Sequence, residues 1–269
     1  MSSTTRDTSS RGGWSHDMRL IAHQVKYEQL GFWLNLVGAV FTVGFSVVFL
    51  VMLGASAGNQ LVPHLGNIRL VQYYVPGFIA YGVMSAGFNT LAITLVVRRE
   101  TGLLKRLRLS PLPTWVLIAS IFISTTIVTL VQVLLMLLIG RLGYHVGFPS
   151  SWLALLLAVF VGIVSFSAMG VAISSVIPNQ ETAGPVTSIV FFVLLFLAGL
   201  WFPLPRGSGL AKFSNYLPVR HLIIAMERSF QIPRGTSPWA WHDLLVIGLW
   251  GAGATLVSLR RFRWSPRRS

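Results

Sequence analysis

Five stretches of this chain run twenty residues or more without a charged side chain: Phe32–Gly54, Tyr73–Val97, Thr114–Gly140, Ser151–Ile177 and Thr182–Trp201. A helix needs about 20 apolar residues to cross the roughly 30 Å hydrocarbon layer of a bilayer. A sixth run, Leu244–Leu259, is shorter, and reaches crossing length over residues 240–259 if Trp239 and Trp241 sit at the interface ahead of it. Barrel strands are about ten residues long and alternate apolar with polar side chains; these runs are longer and continuously apolar. Only 10% of the 269 residues are charged and 54% are apolar, where a soluble globule has roughly 25% charged. The sequence therefore predicts an all-α integral membrane protein with six transmembrane helices.

Six spans leave both termini on one face. One face then carries fourteen Lys and Arg: four in the N-terminal stretch (Arg6, Arg11, Arg19, Lys26), five in Arg98–Arg108 and five after residue 259. The other carries seven: Arg69, Arg141, Arg206, Lys212, Arg220, Arg228 and Arg234. The positive-inside bias makes the richer face cytoplasmic, with both termini there. The cations flank spans, so the net charge of +14 calls for anionic headgroups rather than nucleic acid as partner. The first 31 residues hold no apolar core of a signal peptide, so the first helix is expected to stay in the chain.

Residues 1–15 read as a flexible cytoplasmic tail, and residues 16–269 as one transmembrane domain. His16–Gly31 predicts an amphipathic helix on the inner surface, with Met18, Ile21, Ala22 and Val25 opposite Arg19, His23 and Lys26. Pro178–Glu181 predicts a tight inner turn. In the longest outer segment, Val219, Leu222, Ile223, Met226 and Phe230 recur at helical spacing, with Arg220, Glu227 and Gln231 opposite. That pattern predicts a short helix resting on the outer interface or dipping into it.

The chemistry of the spans is narrow. The five long runs contain no Asp, Glu or His, which weakens the case for a proton-coupled pump with an intramembrane relay. They do contain hydroxyls and amides, whose commonest use is helix packing. Asn35, Thr42, Ser85, Asn89, Thr187 and Ser188 are those singled out for a second use, lining a substrate path. Small residues four apart, Gly82/Ala86, Ala168/Ala172 and Gly248/Ala252, predict close helix contacts. No metal or catalytic constellation is found: the six histidines fall outside the long runs, none in a zinc spacing, and read as interfacial. Cysteine is absent, which excludes thiolate chemistry. The three lysines, Lys26, Lys105 and Lys212, follow Val25, Leu104 and Ala211, so none completes the Gly-Lys of a P-loop.

Against this background Arg98–Pro113 concentrates five cations and one carboxylate. On a helical wheel Leu103, Leu104 and Leu107 share an arc, with Lys105, Arg106, Arg98 and Arg99 facing away. Leu109 falls among the cations. Glu100 falls inside the apolar arc, where the helix dipole or a neighbouring Arg would have to support it. A lipid anchor or a docking knob for a partner's groove would both look like this.

Together RRETGLLKRLRLSP (98–111), NQETA (179–183), LAGLWFPLP (197–205) and LPVRH (217–221) resemble the membrane subunit of type-2 ABC exporters, in particular the daunorubicin-exporter-like drug and polysaccharide permeases. The resemblance runs through most of the chain after residue 15. It implies an elbow helix at His16–Gly31 and a permease dimer, of two copies or of this chain and a paralogue, in a bacterial plasma membrane. It further implies a separate cytoplasmic ATPase that binds ATP and Mg, so that this chain is not itself an enzyme and binds no cofactor. Glu100, Thr101, Gly102, Leu103, Leu104, Lys105, Arg106, Leu107 and Arg108 would belong to a coupling helix, and Asn179, Gln180, Glu181 and Thr182 to a second inner contact. Gly199, Phe202, Pro203, Pro205, Pro218 and His221 would belong to an outer re-entrant hairpin that gates the exit. The substrate path would lie at the dimer interface on spans one, two and five. An amphipathic drug, lipid or glycoconjugate fits such spans as cargo. A secondary, ion-coupled multidrug transporter is the rival reading.

Overall fold

The structure is a computed structural model that describes residues 13–63, 66–103, 113–204 and 207–261. It contains six helices long and apolar enough to cross a membrane. Helix α1 (Gly13–Leu34) precedes them. It ends because Asn35 leaves helical geometry and its carboxamide oxygen accepts the N–H of Gly38 at 3.1 Å, satisfying one donor that the next helix lacks. The first span, α2 (Leu36–Ala57), therefore starts after Asn35, and Phe32, Trp33 and Leu34 belong to α1 rather than to the span.

A pair of two-residue strands, β1 (Leu61–Val62) and β2 (Ile68–Arg69), follows as an antiparallel ladder. Strands this short carry no readable period, and sequence reasoning did not foresee them. Arg69 fixes them to the bundle by donating from Nη2 to the carbonyls of Tyr144 (3.0 Å) and His145 (3.3 Å). The remaining helices are α3 (Leu70–Glu100), α4 (Thr114–Tyr144), α5 (Trp152–Ser174), α6 (Gln180–Ala198), α7 (Gly209–Ser214), α8 (Pro218–Ser229) and α9 (Trp241–Arg261).

Helix α3 is the centre. Of its apolar stretch 78% is buried, against 28% for α2, α6 and α9. It packs against α2, α4, α5, α6 and α8. The core joins Phe78, Tyr81 and Met84 of α3 to Leu155, Ile163 and Phe166 of α5, Phe191 of α6 and Leu222 and Met226 of α8. This centrality accounts for its polar satisfaction: Gln132 of α4 donates to the Phe78 carbonyl (2.8 Å) and to Ser46 Oγ (3.2 Å), joining three spans.

Close approaches come from only some of the small residues expected to provide them. A Cβ on Gly82 would lie 1.9 Å from the Gln132 side chain, but one on Gly248 would meet nothing. Helix α9 instead meets α5 at Gly251, whose Cβ would lie 2.6 Å from Ser165 Oγ. The tightest contact with the backbone of another helix is at Gly170 of α5, where a Cβ would sit 2.6 Å from the Gly87 carbonyl of α3. Gly170→Leu should therefore force α5 off α3 and destabilise the fold by at least the ~1–3 kcal/mol of an overpacked site. The folded, monodisperse yield after detergent extraction reads this, and should fall sharply while that of Gly248→Leu stays near wild type.

Helix α8 departs most from expectation. Instead of resting on the outer interface or dipping into it, it packs among α3, α5, α6 and α9, with its apolar stripe in the core. Glu227, placed on the face opposite the apolar stripe, is only 5% exposed. Periodicity identifies which face is most apolar; it does not say whether neighbours also cover the other one.

Candidate functional site

At the Arg98 end of the bundle, α3 stops at Glu100. The Thr101 N–H closes on the Val97 carbonyl (2.9 Å), and Gly102 adopts φ +71, the left-handed geometry that commonly ends a helix. Glu100 thus shares no helical face with Leu103, which is exposed, and the wheel that placed both on one arc is corrected. Leu104, Lys105, Arg106, Leu107 and Arg108 lie outside the described residues.

Arg99 is buried at 3% exposure and grips the end of α5. Its Nη1 donates to the Ser174 carbonyl (3.1 Å), and its Nη2 to those of Ile177 (2.8 Å) and Pro178 (3.1 Å). A helix C-terminus leaves carbonyls unpaired and carries partial negative charge, so a guanidinium suits it. The remaining donor, Nε, meets Glu100 Oε1 at 3.0 Å. Of the two supports considered for Glu100, the neighbouring Arg is the one the structure shows. Arg98 points elsewhere and holds Glu28 of α1 through both carboxylate oxygens, at 2.8 and 2.6 Å.

Helix α1 is also held to α4, where Gln29 Nε2 donates to both the carbonyl and the hydroxyl of Ser124 at 2.9 Å. Its packed face therefore runs through Ile21, Glu28 and Gln29, while Met18 and Ala22, expected on the apolar face, are exposed. Asn179 caps α6, accepting from the Thr182 N–H (3.0 Å) and hydroxyl (2.9 Å). Asn179, Gln180 and Glu181 are exposed and Thr182 is half-buried. The RRE triplet thus joins α1, the end of α3 and the turn from α5 into α6.

At the opposite end, Gly199 (φ +82) terminates α6, and its carbonyl accepts the Tyr73 hydroxyl of α3. Leu204 lies over it, close enough that a Cβ there would meet Leu204 at 2.7 Å. Phe202 is exposed and edge-on to Phe196 at 5.4 Å. Pro203 is half-buried, Pro205 lies outside the described residues, and Pro218 opens α8. His221 is buried rather than interfacial, with Nδ1 2.7 Å from Asp243 Oδ1 and Nε2 2.9 Å from the Asn215 carbonyl. A carboxylate and a carbonyl both accept, so this pairing favours the protonated ring. The Asp243 hydrogen bond accordingly raises its pKa, against the opposing effect of burial. His221, His242 and Asp243 bring their ligand atoms within 4.8 Å of one another, and His221 and Asp243 are hydrogen-bonded to each other.

Beside this pair Glu227 is pushed up to about 7, mainly by burial and also by Asp243, with Arg220 opposing. Among the described residues Glu227 Oε1 and Arg220 Nε have no hydrogen-bond partner, while Arg220 Nη1 donates to the Ala198 carbonyl at 3.3 Å. The spans lack carboxylates in their long apolar runs, but the folded bundle does not lack buried ones.

The six residues singled out for a substrate path are only partly brought together. Thr42 lies in a π turn of α2 (Val40–Gly44), and Ser85 and Asn89 lie in one of α3 (Ser85–Thr90). The two turns meet through Thr42 and Thr90, whose hydroxyl oxygens are 2.8 Å apart, and the buried Asn89 Oδ1 finds no partner among the described residues. On α6, Thr187 is buried and returns its hydroxyl to the Ala183 carbonyl (2.7 Å), and Ser188 is half-buried. Asn35 is spent as the cap of α2. Wide turns recur at functional sites, but no sequence signal marks them.

A family model described as "ABC-2 family transporter protein" matches residues 59–260. The chain is 23% identical over 177 residues to "Putative transport permease YvfS" of Bacillus subtilis (strain 168), covering 65% of this chain and 70% of that protein. It is 25% identical over 199 residues to "Probable multidrug ABC transporter permease YbhR" of Escherichia coli (strain K12), covering 72% of this chain and 54% of that protein. It thus spans about half the length of that second relative. The match takes in α3, the Arg99 clamp, the α6 cap and the buried α8–α9 cluster together, and on it the chain belongs to the ABC-2 transporter family, as a multi-pass membrane permease.

Proposed function

We propose that this chain is the membrane half of an ATP-driven exporter, paired with a second permease and docked to a separate cytoplasmic ATPase that binds ATP and Mg. The cargo in this reading is an amphipathic drug, lipid or glycoconjugate, and the Arg98 end of the bundle faces the cytoplasm. The observation that carries it is the Arg99 clamp. Arg99 lies one residue ahead of the segment proposed to dock the ATPase, Glu100–Arg108, and bonds the carbonyls of Ile177 and Pro178, just ahead of the second proposed contact, Asn179–Thr182. A push on either would reach both α3 and α6 as one body. Docking would drive a conformational change only if the ATPase contact differed in free energy between the two states.

The test is co-purification with a P-loop ATPase, sought first in the gene adjacent to that of this chain. Leu103→Ser/Leu104→Ser/Leu107→Ser should lower recovery of the ATPase at least tenfold while leaving membrane insertion intact. Recovery and permease-stimulated ATP hydrolysis at wild-type levels would remove the docking role. One observation favours the ion-coupled rival, the buried Glu227. That reading requires cargo flux in proteoliposomes driven by a proton gradient without ATP, where the exporter reading requires none.

A further inference from the structure

Between α5, α6 and α9 runs a groove of about 900 Å³. Met169 of α5, Val190 of α6, and Trp250, Gly253, Ala254 and Val257 of α9 help to line it, and none of its lining residues is charged. At 100° per residue, Arg260 falls about 20° from Gly253 and Arg261 about 20° from Ala254. The α9 wall of the groove thus continues directly into two arginines. Both are exposed, and among the described residues neither has an ion-pair partner. From Trp250 to Arg261 the helical rise is about 16 Å, roughly half of the ~30 Å hydrocarbon layer. The groove therefore has the depth of one leaflet, with cations at its headgroup level.

We propose that this groove is a binding site for an anionic phospholipid of the surrounding membrane, an acyl chain lying along Gly253 and Val257 and the phosphate held by Arg260 and Arg261. Charge complementarity selects this occupant. A second copy of the chain laid along the groove would bring its own apolar spans and leave the two cations unanswered at the mouth. The inference rests on the α5–α6–α9 geometry alone and is independent of the export reading.

Gly253 allows a direct test, because a Cβ there meets nothing within 4 Å, so Gly253→Leu projects into the groove where the acyl chain would lie without disturbing the helix. Gly248 is equally open but does not line the groove, so Gly248→Leu serves as the control. The full chain is released from nanodiscs of equal parts phosphatidylglycerol and phosphatidylcholine, and retained lipid is read by native mass spectrometry. Wild type and Gly248→Leu should keep phosphatidylglycerol in preference to phosphatidylcholine. Arg260→Ser/Arg261→Ser should weaken that retention roughly 30-fold, by the usual contribution of two cations at an anionic surface, and Gly253→Leu should abolish it. Equal retention of the two lipids by wild type, or full phosphatidylglycerol retention by both variants, would overturn the site. So would a Gly253→Leu chain that loses a dimer while keeping its lipid, which would give the groove to a second copy.

Discussion

Replacing Arg99 by Ala should lower the stability of the folded bundle by roughly 3–5 kcal/mol, the range expected when one partner of a buried charged cluster is removed. Four hydrogen bonds leave that one guanidinium, to Glu100 and to the carbonyls of Ser174, Ile177 and Pro178. Alanine would strand all four acceptors beside a helix C-terminus, where partial negative charge is already concentrated. Arg99→Lys keeps the charge but offers a single nitrogen, which cannot span acceptors on two sides as the planar fork does; about half of the loss should remain. Glu100→Gln keeps an acceptor for Nε and should cost about 1 kcal/mol or less. Thermal unfolding of the detergent-purified protein ranks the three. Arg99→Ala melting with wild type would mean that the clamp contributes nothing to holding α3 on the α5–α6 turn.

The second large effect is on pH. Glu227 binds its proton more tightly in the folded protein, where its pKa rises from the ordinary 4.5 to about 7. The stability linked to that proton is therefore fully present below about 4.5 and is lost as pH climbs through about 7. His221 acts in the same sense. Its raised pKa gives stability that is present below the ordinary 6.5 and lost as pH rises through the higher folded value. The melting temperature should therefore fall as pH rises from about 5 through about 7, and His221 adds to the fall as it loses its proton above its ordinary range. Glu227 alone accounts for roughly 3 kcal/mol, at ~1.4 kcal/mol per pKa unit. Glu227→Gln should flatten the profile and melt higher than wild type at the alkaline end. Asp243→Asn, which removes the charge that holds the imidazolium, should lower the melting point most in acid. A melting temperature that rises with pH would contradict both assignments.

The same two clusters mark where sequence reading succeeds and where it stops. RRE at 98–100 was legible as a charge concentration at the end of a span. That Arg99 would bury itself was not, because its partners are backbone carbonyls, which every residue possesses and no sequence pattern reports. Glu227 was legible as part of a polar face on an amphipathic helix. Its burial depends on α9, whose Asp243 is distant in sequence yet lies against α8. The amphipathic character of α1 was readable, but not its inward face. Two polar side chains, Glu28 and Gln29, decide that face by finding Arg98 and Ser124, and so Met18 stays outside.

What the chain alone determined is its solvent and its number of crossings. Uncharged runs of about 20 residues have one stable environment, and a helix is the only open-chain structure that satisfies its own backbone there. The six spans, which follow from local demand, were visible in the residues themselves, whereas Pro178–Glu181, expected as a tight turn, gives Gln180 and Glu181 to α6 with Asn179 as its cap. Tertiary structure alone decided which polar groups meet. The π turns touch through Thr42 and Thr90, Arg99 closes on the end of α5, and His221 and Glu227 are enclosed among α3, α6 and α9. Inside a bilayer apolar faces gain little from one another, because lipid is as apolar as leucine. Which helices pair is then set by close-fitting glycines and by polar groups that must find partners, and those partners are long-range.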